Sequence, residues 1–561
     1  MPDKPWLANY PDGIPAEIDP DRYESLAALI RASFARNGEA RAFSNRGTTL
    51  TFAEADRLSR DFAAYLRNGL GLSPGDRIAV MLPNLLQSPV VIFGILRAGL
   101  VTVNVNPMYT PHELEHQLRD SGARAIIVLE SFAGTVEAVL PSLPIETVIV
   151  TRIGDAFPLL KRVAVDLIVK YVKRLVPRWR IPGFVAYRRA LELGRRLAYE
   201  DPPIAAGDVA FLQYTGGTTG LAKGAMLTHR NLVSNVLQAT AWVRPFYRVE
   251  DGDVVTALPL YHIFALTVNL LAFVEIGAHN VLITNPRDLA AFIGELKRTR
   301  LAFITGVNTL FNALLHTKEF AEVDCSHLRI SLGGGMAVQA DVAMRWQRAT
   351  GNVICQGYGL TETSPIVSAN PLDATSFNGS VGLPLPSTDI RILDEADEDL
   401  AIGGIGEICV RGPQVMAGYW NRPDETALVF VDGEWLRTGD IGRLDEEGYL
   451  FIEDRKKDVI IVSGFNVYPN EVENVVTSHP DVVEAAAIGI PSEESGEAVK
   501  IFVVRKHDEV TVDELLAHCR KELTAYKVPD VVEFVAELPK SNVGKVLRRE
   551  LKAREKAAAR S

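Results

Sequence analysis

The most informative stretch of this sequence reads Gln213-Tyr-Thr-Gly-Gly-Thr-Thr-Gly-Leu-Ala-Lys-Gly-Ala225. Residues 209–212 before it predict a short buried strand, and Thr228 after it is a candidate N-cap for a helix over residues 231–242. Backbone N–H groups and small hydroxyls that converge after a strand can cradle an anion. The order strand, loop, helix therefore predicts a phosphate-binding site. The residues that would form it are Thr215, Gly216, Gly217, Thr218, Thr219, Gly220 and Lys223.

This stretch departs from the P-loop of nucleotide-hydrolysing enzymes, which requires Gly, four residues and then Gly-Lys-Ser/Thr. Counted from Gly217, Ala222 stands where the second glycine belongs, and Gly224 stands where a hydroxyl should hold magnesium. A different nucleotide chemistry is therefore indicated. The alternative, a flexible surface turn, does not account for three threonines and a lysine within one glycine loop.

Length, composition and charge limit the classes of protein to which this chain can belong. The 561 residues are too many for one ordinary domain, and a hydrophobic content of 47% suffices for a large core. A net charge of −11 argues against a general nucleic-acid binder. The four cysteines lie far apart, which predicts neither zinc nor a disulfide framework and fits a reducing compartment. Residues 1–21 lack an apolar segment, so we expect no secretory signal and a cytoplasmic location.

Alternating strand and helix patterns predict an α/β fold with a doubly wound sheet. Residues 78–82, 101–105 and 125–129 are apolar and β-branched, as buried parallel strands are. Residues 83–99 and 111–120 between them have helical patterns. Strand–helix–strand units of this kind build parallel sheets with helices on both faces.

The pattern changes near residue 380. Short strands separated by Gly and Asp turns predict a small β-barrel-like subdomain over about 380–454. A charged cluster at 453–458 follows, and the residues after it have an α/β pattern of their own. We therefore predict a large N-terminal domain, 1–454, and a small α/β C-terminal domain, 455–561.

Two stretches raise the question of membrane contact. Residues 254–274 are long enough to span a bilayer, but Pro259, His262 and Asn269 within them favour a buried strand, turn and helix beside a ligand site. Residues 158–180 combine a broad apolar helical face with basic residues and a terminal Trp, a pattern typical of helices that lie on membrane surfaces. A helix packed on its domain with a solvated basic face explains that pattern equally well, and the sequence leaves both open.

Five motifs together resemble the adenylate-forming enzymes, which include acyl-CoA synthetases, luciferases and peptide-synthetase adenylation domains. They are the loop at 213–225, Gln356-Gly-Tyr-Gly-Leu-Thr-Glu362, Trp435-Leu-Arg-Thr-Gly-Asp440, Ser463-Gly-Phe-Asn-Val-Tyr-Pro469 and Pro539-Lys-Ser-Asn-Val-Gly-Lys545. The resemblance covers nearly the whole chain and is closest to the bacterial long-chain-fatty-acid–CoA ligases. It implies the fold predicted above, with a C-terminal domain that is mobile about a hinge at Lys457.

The resemblance implies where the nucleotide binds. Tyr358 would stack on adenine, while Asp440 and Arg455 would bind the ribose hydroxyls. A glycine segment after the strand predicted at 328–332 would lie along the adenine and the acyl group, where the lack of a Cβ permits close approach. Its glycines are Gly333, Gly334 and Gly335.

The first chemical step is implied to take place at the α-phosphate. Thr218, Thr361 and Lys545 would stabilise the charge there. Glu362 would hold Mg²⁺, because a hard cation on phosphates takes carboxylate oxygens. The structural alternative is that Glu362 is only the N-terminal carboxylate of a predicted helix.

The other two substrates have their own candidate residues. Gly464 and Phe465 would border the pantetheine channel of CoA after the C-terminal domain has rotated. The acyl-tunnel candidates come from two apolar stretches, and for each of them an ordinary core position is the alternative. They are Tyr261, His262, Phe264, Leu266, Asn308 and Thr309.

The implied reaction activates a medium- or long-chain fatty acid with ATP and Mg²⁺ to an acyl-AMP and passes the acyl group to CoA, releasing AMP and pyrophosphate. No enzyme nucleophile is needed, and the sequence offers no convincing Ser/His/Asp or Cys/His set. One alternative is a fatty acyl-AMP ligase that serves a carrier protein, and another is a non-catalytic nucleotide- or lipid-binding protein. The sequence leaves open the preferred chain length, a homo-oligomer, a peripheral position on the cytoplasmic face of the inner membrane, and a degradative or biosynthetic role.

Overall fold

The computed structural model describes residues 4–215, 222–463, 465–492, 495–507, 510–541 and 544–558. Over these residues the chain forms four β-sheets with helices packed against them. The strands are β1 (Arg41–Asn45), β2 (Thr48–Thr51), β3 (Arg77–Met81), β4 (Val101–Asn104), β5 (Ala125–Leu129), β6 (Thr147–Thr151), β7 (Val185–Ala186), β8 (Val209–Thr215), β9 (Lys223–Thr228), β10 (Asp253–Thr256), β11 (Asn280–Leu282), β12 (Leu301–Gly306), β13 (Ile330–Gly334), β14 (Ile354–Gly359), β15 (Ile366–Ala369), β16 (Leu383–Pro384), β17 (Asp389–Leu393), β18 (Gly406–Arg411), β19 (Phe430–Val431), β20 (Trp435–Leu444), β21 (Leu450–Arg455), β22 (Ile460–Val462), β23 (Phe465–Val467), β24 (Val482–Ser492), β25 (Gly496–Arg505) and β26 (Val531–Phe534). The α-helices are α1 (Leu26–Asn37), α2 (Phe52–Ala64), α3 (Gln87–Arg97), α4 (Pro111–Ser121), α5 (Ala133–Val139), α6 (Leu159–Leu167), α7 (Tyr187–Gly194), α8 (His229–Val243), α9 (Phe273–Ile276), α10 (Leu289–Leu296), α11 (Asn308–Leu315), α12 (Ala340–Thr350), α13 (Pro423–Val429), α14 (Pro469–Thr477), α15 (Val512–Glu522) and α16 (Arg548–Ala558).

The seven-stranded sheet confirms the α/β arrangement predicted for the N-terminal part. Its order is β7-β6-β5-β3-β4-β8-β9, and its pairs are parallel except β8 with β9. Helix α3 begins at Gln87 rather than at residue 83. The reason is that the side chain of Asn84 donates hydrogen bonds to the carbonyls of Thr256 and Leu258, which ties the segment before α3 to the neighbouring sheet.

The elements on either side of the predicted phosphate loop differ from the prediction. Strand β9 begins at Lys223 and pairs antiparallel with β8, with Thr215 opposite Lys223, so β8 and β9 form a hairpin. Helix α8 begins only after β9, where Thr228 caps it in a box with Asn231, as predicted for the cap. Five steps of β-strand, at about 3.3 Å each, separate Lys223 from the cap. The α8 N-terminus therefore lies roughly 17 Å from the loop end and does not supply donors to it.

The nine-stranded sheet forms the other half of the N-terminal domain. Its order is β16-β15-β14-β13-β12-β10-β11-β1-β2, parallel from β14 to β1 and antiparallel at both edges. Residues 254–274 contain most of β10, a turn and a buried π-helical segment, Ala265–Ala272, as predicted. In the described part of the chain no helix is long and apolar enough to cross a membrane.

The β-rich segment forms a five-stranded antiparallel sheet in which β17, β18, β20 and β19 are neighbours and β21 also pairs with β20. Among the described residues no pairing closes this sheet into a complete barrel. Strand β21 ends at Arg455, and the next strand belongs to a separate sheet built from β22 to β26. The chain thus changes sheet within the charged cluster at 453–458.

The stretch at 158–180 forms α6 and a π-helical turn, Ile168–Val172, and its helix stops there instead of continuing to residue 180. None of these helical residues is buried. Leu160 is 87% exposed and Val172 is 73% exposed. Lys161, in contrast, turns inward and donates a hydrogen bond to the β1–β2 hairpin. The apolar face of this helix is therefore left exposed. This does not fit the interpretation in which the helix packs its apolar face on the domain and leaves only its basic face in solvent.

Candidate functional site

A cleft of about 1710 Å³ lies where the N-terminal sheets meet the C-terminal domain. Its walls include the carboxyl ends of β8, β13 and β14, the edge of a parallel sheet at which ligands usually bind. Most of the described candidate residues therefore share one cavity. They are Thr215, Lys223, Tyr261, His262, Phe264, Asn308, Thr309, Gly334, Gly335, Tyr358, Thr361, Glu362, Asp440, Arg455, Lys457 and Lys545.

Three described candidates do not line this cleft. A Cβ added to Gly333 would stand 2.7 Å from a methyl of Val338, so this glycine serves core packing rather than the approach of a ligand. Leu266 is fully buried in the core. Phe465 is 57% exposed and stacks on Tyr526, with 4.9 Å between ring centres. The candidates Gly216, Gly217, Thr218, Thr219, Gly220 and Gly464 lie outside the described residues.

Asp440 is the buried centre of the predicted ribose cluster. Its Oδ2 accepts a hydrogen bond from the Tyr358 hydroxyl at 2.7 Å, and its Oδ1 lies 3.0 Å from Nε of Arg455. Asp440 meets Arg455 because the two residues are in register on β20 and β21, and Tyr358 reaches them from β14 of the nine-stranded sheet. Burial, together with the charge of Asp440, raises the pKa of the Tyr358 phenol, which therefore remains a donor. A carboxylate has lone pairs beyond these two contacts, so Asp440 can also accept hydroxyls of a ligand.

Glu362 lies on a single 3₁₀ turn, Thr361–Thr363, between β14 and β15. No α-helix begins there, so the interpretation of Glu362 as a helix N-terminal carboxylate is wrong. The hydroxyl of Tyr419 donates a hydrogen bond to Oε1 of Glu362 at 2.8 Å. This contact fixes the carboxylate at the wall of the cleft.

The surroundings of Glu362 fit a magnesium ion that arrives with a nucleotide. Among the described residues, no group of three or more His, Cys, Asp or Glu side chains could hold a metal ion. Mg²⁺ is commonly held by one or two carboxylates and completes its shell with phosphate oxygens and water. A single fixed carboxylate on a cleft wall is compatible with that coordination.

Lys223 is held by two residues that the sequence analysis did not identify. Its ammonium forms an ion pair with Glu425 on α13 and lies 5.2 Å from the ring centre of Tyr419. These residues come close because the backbone at Tyr419 bridges to Ala225 on β9. No local pattern predicts a contact between segments so far apart in sequence.

Lys545 brings the C-terminal domain to the cleft, on the side of Asp440 and Arg455. The carbonyl of Lys545 accepts a hydrogen bond from the backbone N–H of Ser541 at 2.7 Å, which closes the turn that carries it. Lys545 is an exposed residue that lines the cleft. The crowding of protein around the ammonium, and then the positive charge of Arg455, lower its pKa to about 8. Neighbouring Gly544 fits so tightly that an added Cβ would lie 2.5 Å from Oγ1 of Thr309.

Arg548, three residues beyond Lys545, anchors this turn. Its Nη2 lies 2.8 Å from Glu473 on α14, and its Nη1 lies 3.2 Å from the fully buried carboxylate of Asp454 on β21. It thus connects the two domains next to the predicted hinge. This role was not predictable from the sequence, because Arg548 opens a run of Lys and Arg that has the composition of a solvated tail.

The cleft extends into the hydrophobic cluster between α8 and the nine-stranded sheet. Burial, with the charge of Lys545 second, lowers the pKa of His262 to about 4, so this cleft residue is neutral near pH 7. Most of this apolar wall was not predicted from the sequence, because the lining of an apolar cavity has the same periodicity as an ordinary core. Its residues include Ala239, Trp242, Val243, Val268, Phe303, Leu332, Ile366, Ala369, Leu372, Val381 and Leu385.

Two family profiles match the chain. The profile described as AMP-binding enzyme matches residues 30–420, and that described as AMP-binding enzyme C-terminal domain matches residues 471–545. The chain is 56% identical to the long-chain-fatty-acid–CoA ligase of Escherichia coli O157:H7, over 98% of each protein. It is 52% identical to the long-chain-fatty-acid–CoA ligase of Haemophilus influenzae, over 99% of each.

Solved structures share the fold along nearly the whole chain. The anthranilate CoA ligase AuaEII in complex with anthranoyl-AMP superposes with a TM-score of 0.86 at 25% identity, covering 97% of this chain and 100% of that one. ATP-bound MatB from Rhodopseudomonas palustris gives a TM-score of 0.79 at 29% identity, covering 94% of this chain and 98% of that one.

Proposed function

The chain belongs to the family of AMP-binding enzymes, and we propose that it is a long-chain-fatty-acid–CoA ligase that works through an acyl-AMP intermediate. The observation that carries the proposal is a cleft that joins the Asp440 cluster and Lys545 to an apolar extension. A nucleotide fits the polar part, and an alkyl chain fits the apolar part. The 52–56% identity to ligases of that name over almost their full length supports the same activity.

The first step turns a poor electrophile into a reactive one. A carboxylate oxygen of the fatty acid attacks the α-phosphorus of ATP, an oxygen–phosphorus bond forms, and pyrophosphate leaves. The ammonium of Lys545 and the hydroxyl of Thr361 stabilise the charge on the α-phosphate, while Asp440 holds the ribose. When bound with ATP at Glu362, Mg²⁺ supplies further positive charge to the phosphates.

The second step requires another face of the C-terminal domain. The thiolate of CoA attacks the acyl carbonyl, a thioester forms, and AMP leaves. Phe465 lies away from the cleft in this structure, whereas Lys545 lines it. A rotation about the turn at Lys457 exchanges the two, and a few backbone dihedrals can absorb such a hinge motion. The position of Lys545 in the cleft supports assigning this structure to the first step.

Two assays with purified protein test the proposal. Pyrophosphate release that depends on fatty acid distinguishes the enzyme from a nucleotide- or lipid-binding protein. AMP release and thioester formation that depend on CoA distinguish the ligase from an enzyme that passes the acyl group to a carrier protein. A protein that released pyrophosphate but formed no acyl-CoA would favour the carrier-dependent alternative.

Filling the apolar extension should shorten the preferred substrate. Val268 lines the cleft and is 2% exposed. We expect Val268→Phe to lower kcat/KM for a C16 acid about 10²-fold, since excluding some three or four methylenes forfeits about 0.8 kcal/mol each. Activity on C6 and C8 acids should stay within about threefold of the wild type, and Val268→Ala should keep the C16 activity. An equal loss at every chain length in the folded Val268→Phe protein would contradict the assignment of this wall to the acyl chain.

We also propose that α6 and its π-helical turn attach the enzyme to anionic membrane surfaces. Seven of their large apolar side chains are exposed, although burying one in an apolar phase would be favourable by about 1.5–3 kcal/mol. Basic residues flank this apolar face, and such residues contribute about 1 kcal/mol each near an anionic surface. A lipid surface therefore matches both the apolar and the charged parts of the segment. Four of the exposed basic residues are Lys170, Lys173, Arg174 and Arg178.

Vesicle cosedimentation tests this attachment. The wild type should bind phosphatidylglycerol vesicles, and more weakly at high salt because exposed charges are screened. Changing the four basic residues to Gln should weaken binding more than tenfold and spare activity on soluble short acids. A control variant removes four exposed cations elsewhere, and it should bind like the wild type. Equal binding by the α6 variant and the wild type would rule the attachment out. The control positions are Arg520, Lys521, Arg554 and Lys556.

A further inference from the structure

The ion pair between Lys223 and Glu425 lies beside the nucleotide site and has no part in the reaction derived above. Lys223 starts β9 and lines the cleft, whereas Glu425, which the structure also describes, is not part of the lining. The two side chains are 29% and 35% exposed. The only ammonium on β9 is thus bound to a carboxylate that does not line the cleft.

The backbone holds Glu425 in this position independently of Lys223. The N–H of Trp420 donates to the carbonyl of Gly224 at 2.8 Å, which places the segment before α13 alongside β9. Arg422 lies 3.6 Å from Oε1 of Glu425 and also donates to Asp120 at 2.9 Å. The carboxylate is therefore placed between two cations, and loss of Lys223 would leave it still paired with Arg422.

A triphosphate and the Glu425 carboxylate compete for the same ammonium. Lys carries one positive charge on a flexible stem, so its ammonium can turn from one anion to another. Partly exposed ion pairs are weak, which makes such an exchange inexpensive. Resting on the proposed use of ATP, we propose that Glu425 is a positioning residue that holds Lys223 in the ATP-free enzyme and releases it to the triphosphate. Glu425 then weakens the binding of ATP and favours the release of pyrophosphate.

Glu425→Gln keeps the shape of the side chain and removes its charge. We expect this variant to bind MgATP about threefold to tenfold more tightly in isothermal titration without fatty acid, and to be inhibited by pyrophosphate at correspondingly lower concentrations. Affinity for AMP should change less, because AMP lacks the two outer phosphates. A residue that merely supported the fold would not tighten binding of a ligand. Asp424→Asn, which removes the same charge from an exposed neighbour on α13, should change ATP affinity less than twofold.

A double-mutant cycle tests whether Glu425 acts through Lys223. In a Lys223→Ala background, Glu425→Gln should leave ATP affinity unchanged. Weaker or unaltered ATP binding by the folded Glu425→Gln protein would overturn the inference, as would equal tightening in the Lys223→Ala background. If the wild type bound no ATP, both this inference and the proposed function would be wrong. If the wild type bound ATP and Glu425→Gln bound it no more tightly, this inference alone would be wrong.

Discussion

Lys545→Ala is expected to lose acyl-AMP synthesis on the order of 10²–10³-fold while it still converts supplied acyl-AMP and CoA into thioester. The ammonium lines the cleft on the nucleotide side, near Asp440 and Arg455. Only the first step develops charge on a pentacoordinate phosphorus, so only that step needs this cation. The measurements are pyrophosphate release from ATP with fatty acid, and thioester formation from preformed acyl-AMP.

The two half-reactions separate a chemical role of Lys545 from a structural one. Lys521→Ala, an exposed lysine on α15, serves as the matched control and should match the wild type in both assays. Lys545→Arg keeps the charge but changes its position, so it should recover only part of the first step. If Lys545→Ala lost both half-reactions equally in a folded protein, the domain rotation about Lys457 would have to be abandoned.

Elements with a strong local signal could be predicted from the sequence. Strand β5 matches its predicted range, since a strand buried on both faces is a continuous apolar run. The Thr228 cap was predictable because a hydroxyl at that position satisfies an otherwise unpaired helix N–H. The motifs predicted that Asp440 and Arg455 lie together, and the pairing of β20 with β21 accounts for their geometry. The hydrogen bond of Tyr358 to Asp440 was not predicted, since the resemblance implied only that Tyr358 stacks on adenine.

Features that depend on distant partners could not be predicted. Residues 223–228 contain two small residues and run into a helix cap, so they have no strand pattern of their own and become β9 only by pairing with β8. The contact of Tyr419 with Glu362 exists only because a later segment runs beside β9. Periodicity marked α6 as amphipathic, but it does not determine which face a neighbour covers. In the fold the apolar face of α6 is left exposed.

Glu362→Gln is expected to lower the rate of adenylation on the order of 10²-fold and to raise the Mg²⁺ concentration needed for half-maximal rate. The amide has the shape of the carboxylate and can still accept the hydrogen bond of Tyr419, so the fold should be kept. What it loses is the negative charge, and a neutral amide oxygen is a weaker ligand for a hard dication. Pyrophosphate release measured across a Mg²⁺ series gives both quantities.

Two further variants show whether the charge or the position of Glu362 matters. Tyr419→Phe removes only the hydrogen bond that fixes Oε1. A net contribution of about 0.5–1.5 kcal/mol for such a bond corresponds to a twofold to tenfold loss, which saturating Mg²⁺ should largely restore. Glu434→Gln removes an exposed carboxylate that pairs with Arg411, and it should leave the Mg²⁺ dependence unchanged. If Glu362→Gln turned over normally at low Mg²⁺, the ion would have to be held by the phosphates and water alone, and Glu362 would not be its ligand.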